Sequence, residues 1–487
     1  MKFKNLQSFA QFLETREDLA TILYPADPVL EVTEISQRVL TANGPALYFS
    51  EPKHSEFPML TNLFGSERRI LWGMGLENIE QLRKLGEALA DMREPAQSLQ
   101  HQSLLQHLPL VKKIMAMTPK QVSGGECQSH VWKGKDVDLA RLPIQTCWPG
   151  DVAPLVTWPL VITRSESKAR YNVGIYRQQV LAHNKLIMRW LPHRGGALDY
   201  AEWQSRNPGK PFPVSVVIGA DPAMILAAVV PIPDGISEFS FAGLFRGEKT
   251  VLTQCISNNL SVPCSAEFVL EGHIYPNDMA DEGPYGDHTG YYNEKASFPV
   301  FTVECITHRP KPLYLSTHTG RPPDEPSVLG AVMNQLFVPI IKRQFPEIAD
   351  FHLPPAACSY RMAVVSINKQ YPGHAQRIMM GVWSFLRQFS YTKYVIVVDD
   401  DVNVQCWDDV MWAVSTRAEP ERDVMMVKNT PIDYLDFASI EAGIGSKMGI
   451  DATNKWSGET RREWGKPIIQ CADVKRKIDL IWDELGI

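Results

Sequence analysis

The chain has 487 residues, enough for about three domains of ordinary size, and carries 49 Lys+Arg against 55 Asp+Glu, a formal net charge of −6. This slightly acidic balance argues against a general nucleic-acid or anionic-surface binder, which would carry a basic surplus. Hydrophobic residues at 44% and charged residues at 21% exclude a disordered chain.

The opening segment, MKFKNLQSFAQFLETRE, has no unbroken apolar stretch of the kind a secretory leader needs. Leu6, Phe9, Phe12 and Leu13 recur at helical spacing and predict an amphipathic first helix. No run approaches the ~18 apolar residues of a membrane span; the longest, Ala223 to Val230, stops at Pro231. The cysteines stand singly at 127, 147, 255, 264, 305, 358, 406 and 471, with no C-x-x-C pair and no zinc spacing. That pattern suits free thiols in a reducing cytoplasm.

Residues 1–117 mix helix and strand: Pro45 to Phe49 reads as a strand after an Asn43-Gly44 turn, and Asn78 to Met92 as an amphipathic helix. Over 118–318 helical periodicity nearly vanishes. Short β-rich runs follow one another at 158–165, 171–181, 185–191, 212–219, 268–275, 298–308 and 313–317, the signature of an antiparallel barrel or sandwich. The second and third runs are parted only by Ala182, His183 and Asn184 and predict a hairpin. Over 319–487 strands and helices alternate. Strands at Met362 to Ile367, Tyr394 to Val398 and Val424 to Val427 and helices at Gly373 to Gln388 and Asp408 to Arg417 predict a parallel α/β layer. A Gly-, Asp- and Asn-rich stretch at 430–465 follows. A final helix gathers Val474, Ile478, Ile481, Trp482 and Leu485 on one face, to be covered by its own domain or by a neighbouring subunit.

There is no P-loop, no H-E-x-x-H and no G-x-S-x-G elbow, and Gly443, Gly445 and Gly449 read as a loop. Asp399, Asp400 and Asp401 follow a strand, where they suit either a divalent metal or a solvated loop that caps the next helix. Glu282 and Asp287 bracket two glycines and a proline, so a bent loop brings two acids near each other and can split their pKa values. Asn172, His193 and Glu238 are hard-metal ligand types, and Arg177, Arg189 and Arg194 suit a phosphate. Each of these residues alone is equally at home in a structural role.

Together these segments resemble the UbiD family of prenylated-FMN-dependent decarboxylases along essentially the whole chain. The resemblance rests on NVGIYRQQ (172–179), MRWLPHRGGALDY (188–200), DEGPYGDHTGYYN (281–293), TGRPPDEP (319–326), KYVIVVDDDV (393–402), TPIDYLDFAS (430–439) and GIDATNKW (449–456). It implies a multidomain α+β and α/β fold with a central split β-barrel, like that of flavin reductases, between N- and C-terminal α/β domains. It implies that Asn172, His193 and Glu238 hold Mn²⁺ or Mg²⁺, with a monovalent cation such as K⁺ nearby, against the cofactor phosphate. Ile175, Tyr176, Arg177, Arg189, Trp190, Leu191, Arg194 and Gly195 match cofactor-contact positions. Arg177, Glu282 and Asp287 match the family's catalytic trio. In that reading Asp287 is the general acid, oriented by Glu282 and Arg177, and the charge on Glu282 keeps it protonated near neutral pH.

The last acid of the trio is Asp where the family's acrylic-acid decarboxylases carry Glu, which points to a hydroxybenzoate, 3-polyprenyl-4-hydroxybenzoate of ubiquinone biosynthesis. The resemblance further implies a flavin prenyltransferase as cofactor supplier and a homodimer or homohexamer built with the C-terminal domain. It implies a cytoplasmic enzyme that meets the inner face of the cell membrane, where a polyprenyl substrate resides. A decarboxylase of another aromatic acid, running in either direction, and a flavin-binding assembly subunit without turnover are the alternatives. Asn172 and Arg177 are five apart, so a straight strand points them to opposite faces; both reach one ligand only if the strand bulges near Gly174 or ends between them.

Overall fold

The computed structural model describes residues 2–93, 113–230, 236–385 and 387–486. The loop carrying Pro231 and Pro233 and the part of the predicted helix 373–388 at Leu386 lie outside the described residues.

The first helix, Leu6–Thr15, is capped reciprocally by Asn5 and Ser8 and buries Leu6, Phe9, Ala10 and Leu13, the face its periodicity predicts. It packs near a sheet ordered Leu19–Ile22, Ala46–Phe49, Met59–Thr61 and Tyr314–Leu315. The last of these strands was expected in the central β-rich region. It instead pairs in parallel with Met59–Thr61, because Pro310 and Pro312 lack the N–H groups that would continue the preceding strand.

The central sheet has nine antiparallel strands. Across it run Leu155–Val156, Gln178–Ala182, Lys185–Met188, Ala296–His308, Phe268–Glu282, Phe212–Ile218, Pro159–Arg164 and Tyr171–Ile175, with His130–Lys133 beside Ala296–His308. The predicted hairpin is present, as Gln178–Ala182 pairs with Lys185–Met188. The run 171–181 is not one strand. It breaks after Ile175: Tyr171–Ile175 is one edge of the sheet order, and Gln178–Ala182 lies next to the strand at the other edge. The pairing does not close into a ring among the described residues; the short link Tyr176-Arg177 carries the chain from the Tyr171–Ile175 edge to the far side. The apolar patterning concealed this break, and Gly174 allows it: a Cβ there would lie 2.6 Å from the Tyr176 ring, which folds back over the strand.

Three helices also interrupt this β-rich region: Gly195–Arg206, Pro222–Ala227 and Glu238–Arg246. Pro222–Ala227 is buried throughout, so it shows no polar face for periodicity to detect.

The C-terminal sheet is ordered Ile348–His352, Met362–Ile367, Tyr394–Asp399, Ile444–Ala452 and Val424–Pro431. Met362–Ile367, Tyr394–Asp399 and Ile444–Ala452 are parallel, whereas Val424–Pro431 is an antiparallel edge strand. The third parallel strand is therefore the glycine-bearing stretch expected to be a loop. Its glycine is needed for packing: a Cβ on Gly449 would meet Met379 Sδ at 2.4 Å, so glycine lets helix His374–Phe385 settle on the sheet.

Two of the three aspartates, Asp399 and Asp401, form an ion-pair site. Arg417 reaches Asp399 at 3.0 Å and Asp401 at 2.7 Å, and Asn454 donates twice to Asp399. They do not cap the next helix, whose N-cap is Cys406. We expect Asp400→Asn to change stability by less than about 1 kcal/mol in thermal melts. Arg417→Met should cost about 3 kcal/mol, because it strands the buried Asp399. All eight cysteines are free. The final helix, Ala472–Ile481, buries no residue, so its own domain does not cover its apolar face. Among the described residues no helix is long and apolar enough to cross a membrane.

Candidate active site

Arg177 lies at the break between the two strands, and Glu282 ends the long strand Phe268–Glu282. Gly283, at φ +88°, then turns the chain through a region that other residues rarely adopt. The turn brings Asp287 back towards the same arginine. Arg177 Nε donates to Glu282 Oε1 at 2.8 Å and Nη1 to Asp287 Oδ2 at 2.5 Å. Its Nη2 donates to Asn293 Oδ1 at 2.8 Å. Arg189 lies alongside, 3.6 Å from Glu282 and 3.5 Å from Asp287. One planar fork thus holds two buried carboxylates, and a second guanidinium balances their charge.

Burial alone would raise the Asp287 carboxyl, but Arg177, His288 and Arg189 outweigh it and hold it far below the usual carboxylate range. This corrects the sequence expectation that Glu282 keeps Asp287 protonated: in this arrangement Asp287 is a carboxylate. Burial, and next the like charge of Arg177, lower Arg189 to about 10, which leaves it charged at neutral pH.

Arg189 also contacts the Tyr434 hydroxyl and lies 5.3 Å from that ring's centroid. Tyr434 belongs to a C-terminal segment that packs over the arginine. Tyr360 donates to Asp433 at 3.0 Å, and Phe437 meets Tyr291 edge-on. Asn293, Tyr434 and Asp433 were not singled out from sequence. Asn293 closes the block that ends in YYN, and its amide also meets Glu282 and the Tyr285 N–H.

A second polar cluster adjoins Tyr176. Glu238 opens the helix Glu238–Arg246 and accepts the Val173 N–H at 2.8 Å. Burial pushes its carboxyl up to about 7, against that N–H. The Asn172 amide donates to Thr163, which donates to Asp199. A Cβ on Gly195 would lie 2.0 Å from Asn172 Oδ1, and one on Gly196 would lie 2.7 Å from Trp190 Nε1. The Gly196 N–H reaches the Tyr176 hydroxyl at 3.3 Å.

Asn172, Tyr176, Trp190, Gly195 and Glu238 therefore share one neighbourhood. The strand ends at Ile175, so Asn172 and Arg177 are not bound to the opposite faces of one straight strand. Ile175 pairs with Leu160 on the strand edge, Leu191 accepts the Arg194 N–H, and Arg194 caps the helix that follows. His193 lies beside Tyr391, their ring centroids 6.2 Å apart. Among the described residues no three His, Cys, Asp or Glu side chains converge as a metal cluster.

The polar groups here fit a phosphate-bearing ligand, with hard oxygens that suit a cation beside it. Buried Trp190 Nε1 and Ser237 Oγ have no hydrogen-bond partner among the described residues. Two side-chain-free positions, Gly195 and Gly196, open a helix N-terminus beside Asn172 and Trp190, and Glu238 and Asp199 supply hard oxygens.

Comparison with known proteins agrees with this geometry. Three family models match in order: the 3-octaprenyl-4-hydroxybenzoate carboxy-lyase N-terminal domain over 10–89, its Rift-related domain over 120–322 and its C-terminal domain over 327–452. The chain is similar to the UbiD-class enzyme HmfF from Pelotomaculum thermopropionicum in complex with FMN. That match has 28% identity and a TM-score of 0.79, over 95% of this chain and 97% of that one. An evolved dimeric form of HmfF in complex with prFMN matches at 26% identity and a TM-score of 0.79, over 97% and 98%. The closed form of vanillic acid decarboxylase from Sedimentibacter hydroxybenzoicus shares the fold at 23% identity and a TM-score of 0.85, over 100% of both chains. With all three family domains present in order, and two guanidinium groups set against a buried carboxylate pair, the chain belongs to the UbiD family and is a UbiD-class carboxy-lyase.

Proposed function

We propose that this chain removes CO₂ from 3-polyprenyl-4-hydroxybenzoate in ubiquinone biosynthesis, giving a 2-polyprenylphenol. The observation that carries the reading is the buried pair Glu282 and Asp287 held on the Arg177 fork. All three matching family models bear the name of that carboxy-lyase, which supports the substrate. Decarboxylation of another aromatic acid is the second reading, favoured by the likeness to a vanillic acid decarboxylase. A binding subunit without turnover has no use for a paired acid.

Prenylated FMN, when bound, supplies the electron sink for the carbon that loses CO₂. The chain's own residues do the rest. Asn172, Glu238 and His193 hold a divalent cation, Mn²⁺ or Mg²⁺ with K⁺ nearby, against the phosphate. Ile175, Tyr176, Trp190, Leu191, Arg194 and Gly195 line the flavin site. Arg177 and Arg189 orient the substrate carboxylate and the two acids. Asp287 takes up a proton and delivers it to the ring carbon, with Glu282 steadying the fork. The open central sheet serves as the family's split barrel, at 118–318 between domains 1–117 and 319–487. The uncovered C-terminal helix serves homo-oligomer assembly. The enzyme works in the cytoplasm, at the inner membrane face, with a flavin prenyltransferase as its supplier.

The test is expression with and without a flavin prenyltransferase, followed by CO₂ release from 3-polyprenyl-4-hydroxybenzoate, vanillate and 3,4-dihydroxybenzoate. Turnover should need the prenyltransferase and favour the prenylated acid. Equal turnover with plain FMN ends the cofactor assignment, and preference for vanillate selects the second reading. Glu238→Gln should keep its fold but purify without flavin and without Mn²⁺, read by absorption and by elemental analysis. Normal loading removes Glu238 from the site.

A further inference from the structure

We propose that His288 is a positioning residue that passes protons from solvent to Asp287. The inference rests on the decarboxylase reading above, since it supplies the route by which that acid is recharged. Replacing a C–CO₂⁻ bond with a C–H bond consumes one proton per turnover. Asp287 is buried and ionised, and its Oδ2 is occupied by Arg177 Nη1 at 2.5 Å, with Arg189 at 3.5 Å. The other oxygen, Oδ1, accepts the His288 backbone N–H at 2.8 Å and lies 2.8 Å from Nδ1 of the same residue's ring. The backbone bond fixes the register of the two side chains, so the imidazole is held at the one carboxylate oxygen that the arginines leave open.

The ring also spans the boundary of the site. The His288 side chain is 20% exposed against 8% for Asp287. The charged groups around it come from three further places: Asp433 and Arg361 in the C-terminal region, and Asp324 at the cap of helix Glu325–Asn334. Burial disfavours the imidazolium, but the bond to Asp287 and the charges of Asp287 and Asp433 outweigh it, with Arg361 opposing, and the histidine is raised above its ordinary value. The protonated ring is thus favoured at His288 while the clamped Asp287 is held as the carboxylate.

The transfers balance. The His288 Nδ1–H bond breaks as an O–H bond forms on Asp287 Oδ1. That O–H then breaks as C–H forms at the ring carbon, using the electron pair released from the bond to CO₂. Asp287 returns to the carboxylate, and neutral His288 regains a proton from water.

The test pairs His288→Asn with Asp287→Asn. Asparagine keeps an N–H donor near the Nδ1 position but carries no transferable proton. The readout is exchange of the product's ring hydrogen with D₂O by the flavin-loaded enzyme. In the parent, exchange should fall as pH rises past the raised imidazole pKa, above about 6.5. His288→Asn should load flavin normally, exchange about 10²-fold more slowly, and lose that alkaline limb. A parent-like rate and limb in His288→Asn, with Asp287→Asn slow, overturns the relay alone. Parent-like exchange in Asp287→Asn overturns the assignment of the acid as well. A second readout needs no flavin: ring-¹³C histidine NMR of the apo chain, with His288 assigned by its loss in the variant. Its titration should move to lower pH in Asp287→Asn, and an unmoved titration overturns the coupling.

Discussion

Asp287→Asn is expected to load flavin and bind substrate normally yet lose decarboxylation by about 10²- to 10⁴-fold, the usual cost of removing a positioned proton donor. Asparagine keeps the size of the side chain and an oxygen that still accepts from Arg177 Nη1. It cannot take up a proton and release it to carbon. Its lost charge is tolerable because Arg177 keeps Glu282 and Asn293 as partners. The assay is single-turnover CO₂ release beside product-hydrogen exchange in D₂O. Both should fall together, because exchange isolates the protonation step. Should exchange persist while CO₂ release fails, Asp287 acts on the carboxylate and Glu282 becomes the acid.

Much of the site was legible because its residues sit in short, unusual blocks. Glu282, Gly283, Pro284 and Gly286 announce a bent loop with an acid at each end, and the structure bends there. The partner of that loop was less visible. Arg177 lies within an apolar run that reads as one strand, and period-2 patterning cannot report that the halves of a run sit far apart in the order of a sheet. The protonation of Asp287 was misread for a related reason. The sequence places one acid near another, but Arg189 and His288 come close only through the fold, and they decide the sign of the shift. The strand at Ile444–Ala452 was hidden because Gly445 and Gly449 suggest a loop when their packing against Ile432 and Met379 is unknown. Tyr434 gave no local signal, since it meets Arg189 across 245 residues of sequence.

Arg177→Met should be the most destabilising change at the site, and its effect should depend on pH in a definite sense. In the parent the folded carboxyl of Asp287 lies below its unfolded value of about 4. Its contribution to stability is therefore present above that unfolded value and is lost as pH falls through the folded one. Removing the guanidinium takes away the largest of the lowering influences and leaves only His288 and Arg189 against burial, so the carboxyl moves up. Its contribution to stability above the unfolded value then shrinks. At pH 7 the variant should be about 3 kcal/mol less stable, the scale of breaking one partner out of a buried ion pair. Near pH 4 the gap should narrow. Methionine keeps the length of the arginine stem but loses the guanidinium that lies 5.5 Å from the Tyr285 ring centroid, so a second variant is needed to separate charge from contact. Thermal melts of the flavin-free protein at the two pH values make the measurement, and Arg177→Met/Asp287→Asn is the control. Deleting one of the stranded carboxylates should restore most of the lost stability at pH 7. An equal loss at both pH values, unrelieved in the double variant, would mean that Arg189, 3.5 Å from Asp287, already balances the pair and that the fork of Arg177 serves orientation alone.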